Sequence, residues 1–142
     1  MKPLFVLLAL TLTSPAVAQT SEDYAKMSRK VWSLFECTVL ASYTKDNMEA
    51  ERLFQLGYEN GKTFIEALKA GKVKNEDLRK HMPWAMGEKL SGPSTEFALG
   101  RLYESIQDYT IEEIWKDASS DEDLRKTKAL TTYQKQNCSF LR

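Results

Sequence analysis

From Tyr24 onward, Met27, Val31, Leu34, Phe35 and Thr38 return at intervals of three and four residues. That spacing lays one stripe along an α-helix, because 3.6 residues complete a turn. Ser21 stands ahead of the stripe as a hydroxyl cap, and Glu22 and Asp23 suit the positive end of a helix dipole. The pattern predicts a first helix from Ser21 to about Tyr43, with Cys37 inside it. A second stripe runs through Ala50, Leu53, Phe54, Gly57, Gly61, Phe64, Ile65 and Leu68, behind Asp46 and Glu49 in a capping-box arrangement. Asn60-Gly61 is a strong turn dipeptide in the middle of this stripe, so a helix broken there is the alternative. A turn would reset the apolar phase, whereas the phase continues. The reading is therefore one helix to about Ala70, with Gly71 at its C-terminal cap and Gly57 and Gly61 on the packed face. Two glycines inside a helix cost about 1 kcal/mol each relative to alanine, which a close helix–helix contact would offset.

Asn75, followed by Glu76 and Asp77, reads as the cap of a short third helix that must stop before Pro83. Pro83 opens the segment "PWAMGEKL", and Ser91 to Ser94, "SGPS", is a turn ending in a cap. A long helix follows through Phe97, Leu99, Leu102, Tyr103 and Ile106. Thr110 and Glu113 form another capping-box pattern, which predicts a kink or restart before Ile114 and Trp115. Ser120 and Asp123 start a more polar last helix carrying Leu124, Leu130 and Tyr133. No stretch alternates as a strand would. The expectation is one all-α domain, a bundle of about five to six helices over residues 19–142.

The first eighteen residues change the setting. Lys2, the apolar run Leu4–Leu12 and the small-x-small triplet Ala16-Val17-Ala18 have the order of a secretory signal peptide cleaved after Ala18. The run is shorter than the ~20 residues needed to span a bilayer, and no cysteine follows it to carry a lipid. Export to the periplasm, or secretion, is the expected localisation, with no stable membrane anchor after cleavage. In an exported chain two cysteines favour a bridge, so Cys37 and Cys138 are expected to join the first helix to the C-terminal tail.

The whole chain has 20 Lys and Arg against 20 Asp and Glu; removing Lys2 leaves 19 against 20. This balance offers no basic stripe for nucleic acid and no polybasic run for a membrane surface. His81 is the only histidine. With both cysteines bridged, no ligand set for a metal remains, no cofactor motif is present, and His81 reads as a surface residue at a helix end. One spacing does suggest chemistry: Glu112, Asp121 and Thr127 match the E-x8-[DC]-x5-T arrangement of phage-type muramidases. Two carboxyls flanking a sugar bond are sound glycosidase chemistry, but the intervening stretch has none of the glycine-rich hairpin of those enzymes. A peptidoglycan-active glycosidase is therefore the alternative to a binding protein. The binding case rests on "HMPWAMGEKLSGPS", where Trp84 lies between two prolines and, with Met82 and Met86 beside the turns, forms a candidate partner surface.

The stretches "LFQLGYENGKTFIEALKAGKV" and "LSGPSTEFALGRLYES", with the W-x-x-F-x-C helix before them, resemble a family of small exported proteins of enterobacterial and prophage genomes. That family brings no activity and no catalytic residues. In plan the chain also resembles helical periplasmic immunity proteins of secreted amidases and, more distantly, small disulfide-bridged stress chaperones. The resulting expectation is a periplasmic, non-enzymatic protein-binding module of inhibitor, immunity or protective type, with a stress chaperone as a further alternative.

Overall fold

A computed structural model describes residues 18–116, 118 and 120–142. The expected signal segment lies outside the described residues, apart from Ala18. Five α-helices make up the body: α1 (Ser21–Tyr43), α2 (Asn47–Lys69), α3 (Asn75–His81), α4 (Thr95–Trp115) and α5 (Glu122–Lys135). Two 3₁₀ turns, Trp84–Lys89 and Cys138–Phe140, complete the ordered elements, and the described residues contain no strand.

α1 begins one residue away from the expected cap. Thr20 takes that place, its hydroxyl accepting the Asp23 amide at 3.2 Å while the Asp23 carboxylate accepts the Thr20 amide at 2.9 Å. Ser21 is freed to act at long range. Its hydroxyl donates to the Asp77 carboxylate and accepts the Lys74 amide at 2.8 Å. Asn75 is thus not the cap of α3. Lys74 holds that position without a side-chain bond of its own, and Ser21 of α1 supplies the oxygen instead.

Three residues turn α1 into α2, which packs back antiparallel. Lys45 adopts a left-handed φ of 63°, so that the Asp46 amide reaches the Ala41 carbonyl and the Lys45 amide the Ser42 carbonyl. These two bonds close the end of α1 in a Schellman motif. α2 then runs unbroken through Asn60-Gly61, and the Asn60 side chain donates to the Leu56 carbonyl at 2.7 Å. Both glycines are buried. A Cβ on Gly57 would stand 2.6 Å from Phe35 Cε1, and one on Gly61 would collide with Leu99 of α4. Gly71, at φ +68°, closes α2 with a second Schellman pair, Lys72 amide to Ala67 carbonyl and Gly71 amide to Leu68 carbonyl.

α4 lies across this hairpin. Tyr103 meets Phe35 and Phe54 edge-on, with ring centroids 5.2 and 5.1 Å apart. The expected restart at Thr110 does not occur. Thr110 is buried and donates to the Ile106 carbonyl at 2.7 Å, so its hydroxyl serves the preceding turn and α4 continues to Trp115. Asp121, rather than Ser120, caps α5, accepting the Leu124 amide at 3.0 Å.

The core follows the helix order. Val31, Phe35, Phe64, Ile65, Leu99, Leu102 and Ile106 fill the middle of the molecule. Ala25, Ala67 and Val73 join α3 to one end, and Leu34, Leu40, Leu53, Ile114 and Ala129 bring α5 to the other. At that second end Cys37 and Cys138 form a disulfide with Cα atoms 5.6 Å apart, and both residues are fully buried.

Candidate functional site

The segment between α3 and α4 is held from both sides. Met82 ends α3 in an extended conformation, its amide still bonded to the Leu78 carbonyl at 2.9 Å. Pro83, whose ring restricts φ, leads into the 3₁₀ turn, and the Met86 amide closes that turn on the Pro83 carbonyl at 3.0 Å. Met86 is fully buried among the central residues of α1, α2 and α4. On the far side the Arg101 guanidinium donates to the carbonyls of Ser91 and Glu88, at 2.8 and 3.2 Å. Just ahead of Met86, Trp84 points outward and is 89% exposed.

The expected surface of Met82, Trp84 and Met86 is therefore divided. Met86 belongs to the core, Met82 packs partly buried against it, and Trp84 alone presents its side chain to solvent. Fully burying a methionine is worth roughly 1.5–3 kcal/mol, enough to fix a short turn in one place. Trp84 is thus an aromatic group on a braced support. Arg79 and Lys80, both exposed, precede it on the last turn of α3, and Lys89 follows at the end of the 3₁₀ turn.

His81 departs from its expected surface position. Its side chain is only 14% exposed, with Nε2 3.2 Å from Glu22 Oε1, an approach that lacks hydrogen-bond alignment. Glu22 is shared with Lys26, at 2.9 Å, and this partner first of all holds its carboxyl below the ordinary value.

Glu112, Asp121 and Thr127 are all exposed. The Asp121 carboxylate is engaged as the cap of α5. A glycosidase acid needs desolvation to stay protonated, and an exposed Glu112 has no such shelter. Thr127 borders a cleft along α5 with Ala118, Leu124 and Lys128, and neither carboxyl lines that cleft.

Two further constellations have no local sequence signal. The Trp115 indole donates to the Tyr43 hydroxyl at 2.8 Å, and the Arg125 guanidinium lies 4.4 Å from the Trp115 ring centre. With Ser42, Lys45, Glu122 and Lys126 these groups border a cleft of about 360 Å³. The second constellation ties down the tail. Arg52 makes a two-pronged pair with Glu49 and donates to the Leu141 carbonyl at 2.8 Å, while the Tyr133 hydroxyl donates to Glu49 at 2.6 Å. The Arg52 bond leads in holding the Glu49 carboxyl below its usual value. Burial first, then the bond to Glu49, pushes the Tyr133 hydroxyl up to about 12. Neither group was foreseeable, since residues 72 and 84 positions apart share no local pattern.

Among the described residues no cluster of three or more His, Cys, Asp or Glu could hold a metal ion, and no helix is long and apolar enough to cross a membrane. Comparison of the chain with protein-family models, with curated proteins and with solved structures finds no match.

Proposed function

We propose that this chain is an exported, non-enzymatic protein-binding module that blocks or protects a protein partner. The observation that carries this reading is Trp84, an exposed aromatic fixed between a partly buried Met82 and a fully buried Met86. Tryptophan is enriched among the residues that dominate binding energy, and a pre-ordered anchor loses little entropy when it docks. The signal-like first eighteen residues and the Cys37–Cys138 bridge support export, because disulfides persist in oxidising compartments. Exposed Glu112 and the capping duty of Asp121 weigh against the muramidase alternative.

The test is affinity capture from periplasmic extract with the purified chain and with Trp84→Ala. A single partner retained in stoichiometric amount by the first and lost by the second is the expected outcome. Peptidoglycan hydrolysis by the native chain that disappears in Glu112→Gln would overturn it.

A further inference from the structure

The His81 ring is largely buried, and its Nε2 is the one buried side-chain nitrogen or oxygen left without a hydrogen bond among the described residues. It does not face apolar surface. Glu22 Oε1, on the first turn of α1, stands 3.2 Å away, short of a bond only in its alignment. A neutral imidazole protonated on Nδ1 turns a lone pair toward that carboxylate, whereas an imidazolium carries a proton on both nitrogens. Glu22 is ready to accept one. The bond from Lys26, and then its charge, hold the Glu22 carboxyl below the ordinary value. It therefore stays ionised where histidines change charge, between about pH 5 and 8.

The other charges around the ring are mixed, and distance decides among them. α3 packs on α1, where Lys26 takes the same Oε1 at 2.9 Å from a mostly exposed side chain that solvent screens. Arg29 and Lys30 follow one turn further along. Within α3, Asp77 lies one turn before His81 and accepts the Ser21 hydroxyl, while Arg79 and Lys80 are exposed. Glu88 and Lys89, on the following turn, are engaged at α4, the first through its carbonyl with Arg101 and the second in a cleft with Glu104 and Asp108. Among the described residues only Glu22 comes within ion-pair distance of the ring nitrogen.

We propose that His81 is a proton-operated latch: as pH falls from about 8 to 5, its imidazolium closes on Glu22 and ties the exit of α3 to the first turn of α1. α3 has little else to hold it. None of its seven residues is buried, Leu78 is its partly buried apolar contact, and its entrance is capped from α1 by Ser21. The latch decides whether one end of the helix or both are fastened. His81 passes directly into Met82 and the Trp84 turn, so the same proton sets how firmly the entrance of that turn is held. Because the closed state is the protonated one, the added protection is complete in acid and lost as pH rises. The device is independent of the binding function proposed above, and its test needs only the purified chain.

That test is amide hydrogen exchange, read as protection factors at about pH 5 and about pH 8 to remove the chemical effect of pH itself. Protection in α3 should be about tenfold higher at the lower pH, the scale of one charge-assisted hydrogen bond, with α2 and α4 unchanged. His81 is the only histidine, so the ring NMR signals of the untagged chain read the proton directly and should show a bonded Nε2–H in acid. Glu22→Gln should cancel the difference in α3. Lys26→Gln frees Oε1 by changing an exposed side chain, so it should enlarge the difference, and it covers the case of a poorly folding Glu22 variant. Equal protection at both pH values, lower protection in acid, or an equal gain in α2 and α4 overturns the proposal. So does a ring without an Nε2 proton at the lower pH, or a difference that persists in Glu22→Gln or shrinks in Lys26→Gln.

Discussion

At the level of single residues, the three glycines within helices test how α1, α2 and α4 are packed. Gly57→Ala adds a methyl 2.6 Å from the Phe35 ring, which Tyr103 and Phe54 hold edge-on and tilted. Overpacking of this kind costs ~1–3 kcal/mol, more than the ~1 kcal/mol of helix propensity gained. Gly61→Ala meets the terminal methyl of Leu99, which turns more easily than a ring, so its loss should be smaller. Gly100 lies exposed in α4 with open space where a Cβ would stand, and Gly100→Ala should stabilise by about 1 kcal/mol. Denaturant midpoints should therefore rank Gly100→Ala above the native chain, then Gly61→Ala, then Gly57→Ala; any other order rejects this packing. Tyr133 gives a second test. A hydroxyl raised from about 10 to about 12 contributes stability that is complete below pH 10 and lost as pH rises through 12. The thermal midpoint of the native chain should fall over that interval, and Tyr133→Phe should flatten the fall. Glu49 works in the opposite sense: its lowered value adds stability above the ordinary carboxylate range that disappears under acid.

Among the elements, α3 is the most dependent on outside help. It has seven residues, none of them buried, and its entrance is capped by a hydroxyl from another helix. Ser21→Ala should cost ~1–2 kcal/mol, as lost caps do, and should speed amide exchange in α3 while leaving α2 and α4 protected. Uniform acceleration across all helices would show that α3 does not open by itself. The same helix marks the boundary of what periodicity reveals. α1, α2 and α4 were legible because each repeats apolar residues over more than five turns, which outlasts a local irregularity such as Asn60-Gly61. Thr110 and Glu113 misled because the pattern of a cap is also the pattern of a threonine back-bonded inside a helix. The continuing phase of Ile106, Thr110 and Ile114 was the stronger signal. Thr20 and Asp23 offered a readable capping box one residue ahead of Ser21, so that shift was avoidable. At Met82, Trp84 and Met86 no period exists to read. Pro83 resets the chain between two short elements, and which side chain turned inward depended on helices distant in sequence.

Across the whole molecule, the disulfide and the polar tether at Glu49, Arg52 and Tyr133 do the same job by different means, fixing the last residues against α1 and α2. The bridge spans 101 residues, and a loop of that size is worth up to ~4.7 kcal/mol in the chain-entropy treatment. Both sulfurs are buried, so reductant should act slowly until mild denaturant opens this end, a delay that thiol alkylation followed by mass spectrometry would measure. The bridge also alters what a cut backbone means. Every residue from Thr38 to Asn137 lies inside a covalent ring, and exposed Lys72, in the connection between α2 and α3, offers trypsin a site within it. A chain cleaved there keeps both pieces joined: one band without reductant, two with it. Scission that would shed half of a linear bundle leaves this one with its parts at one another's side, free to close again around the same core.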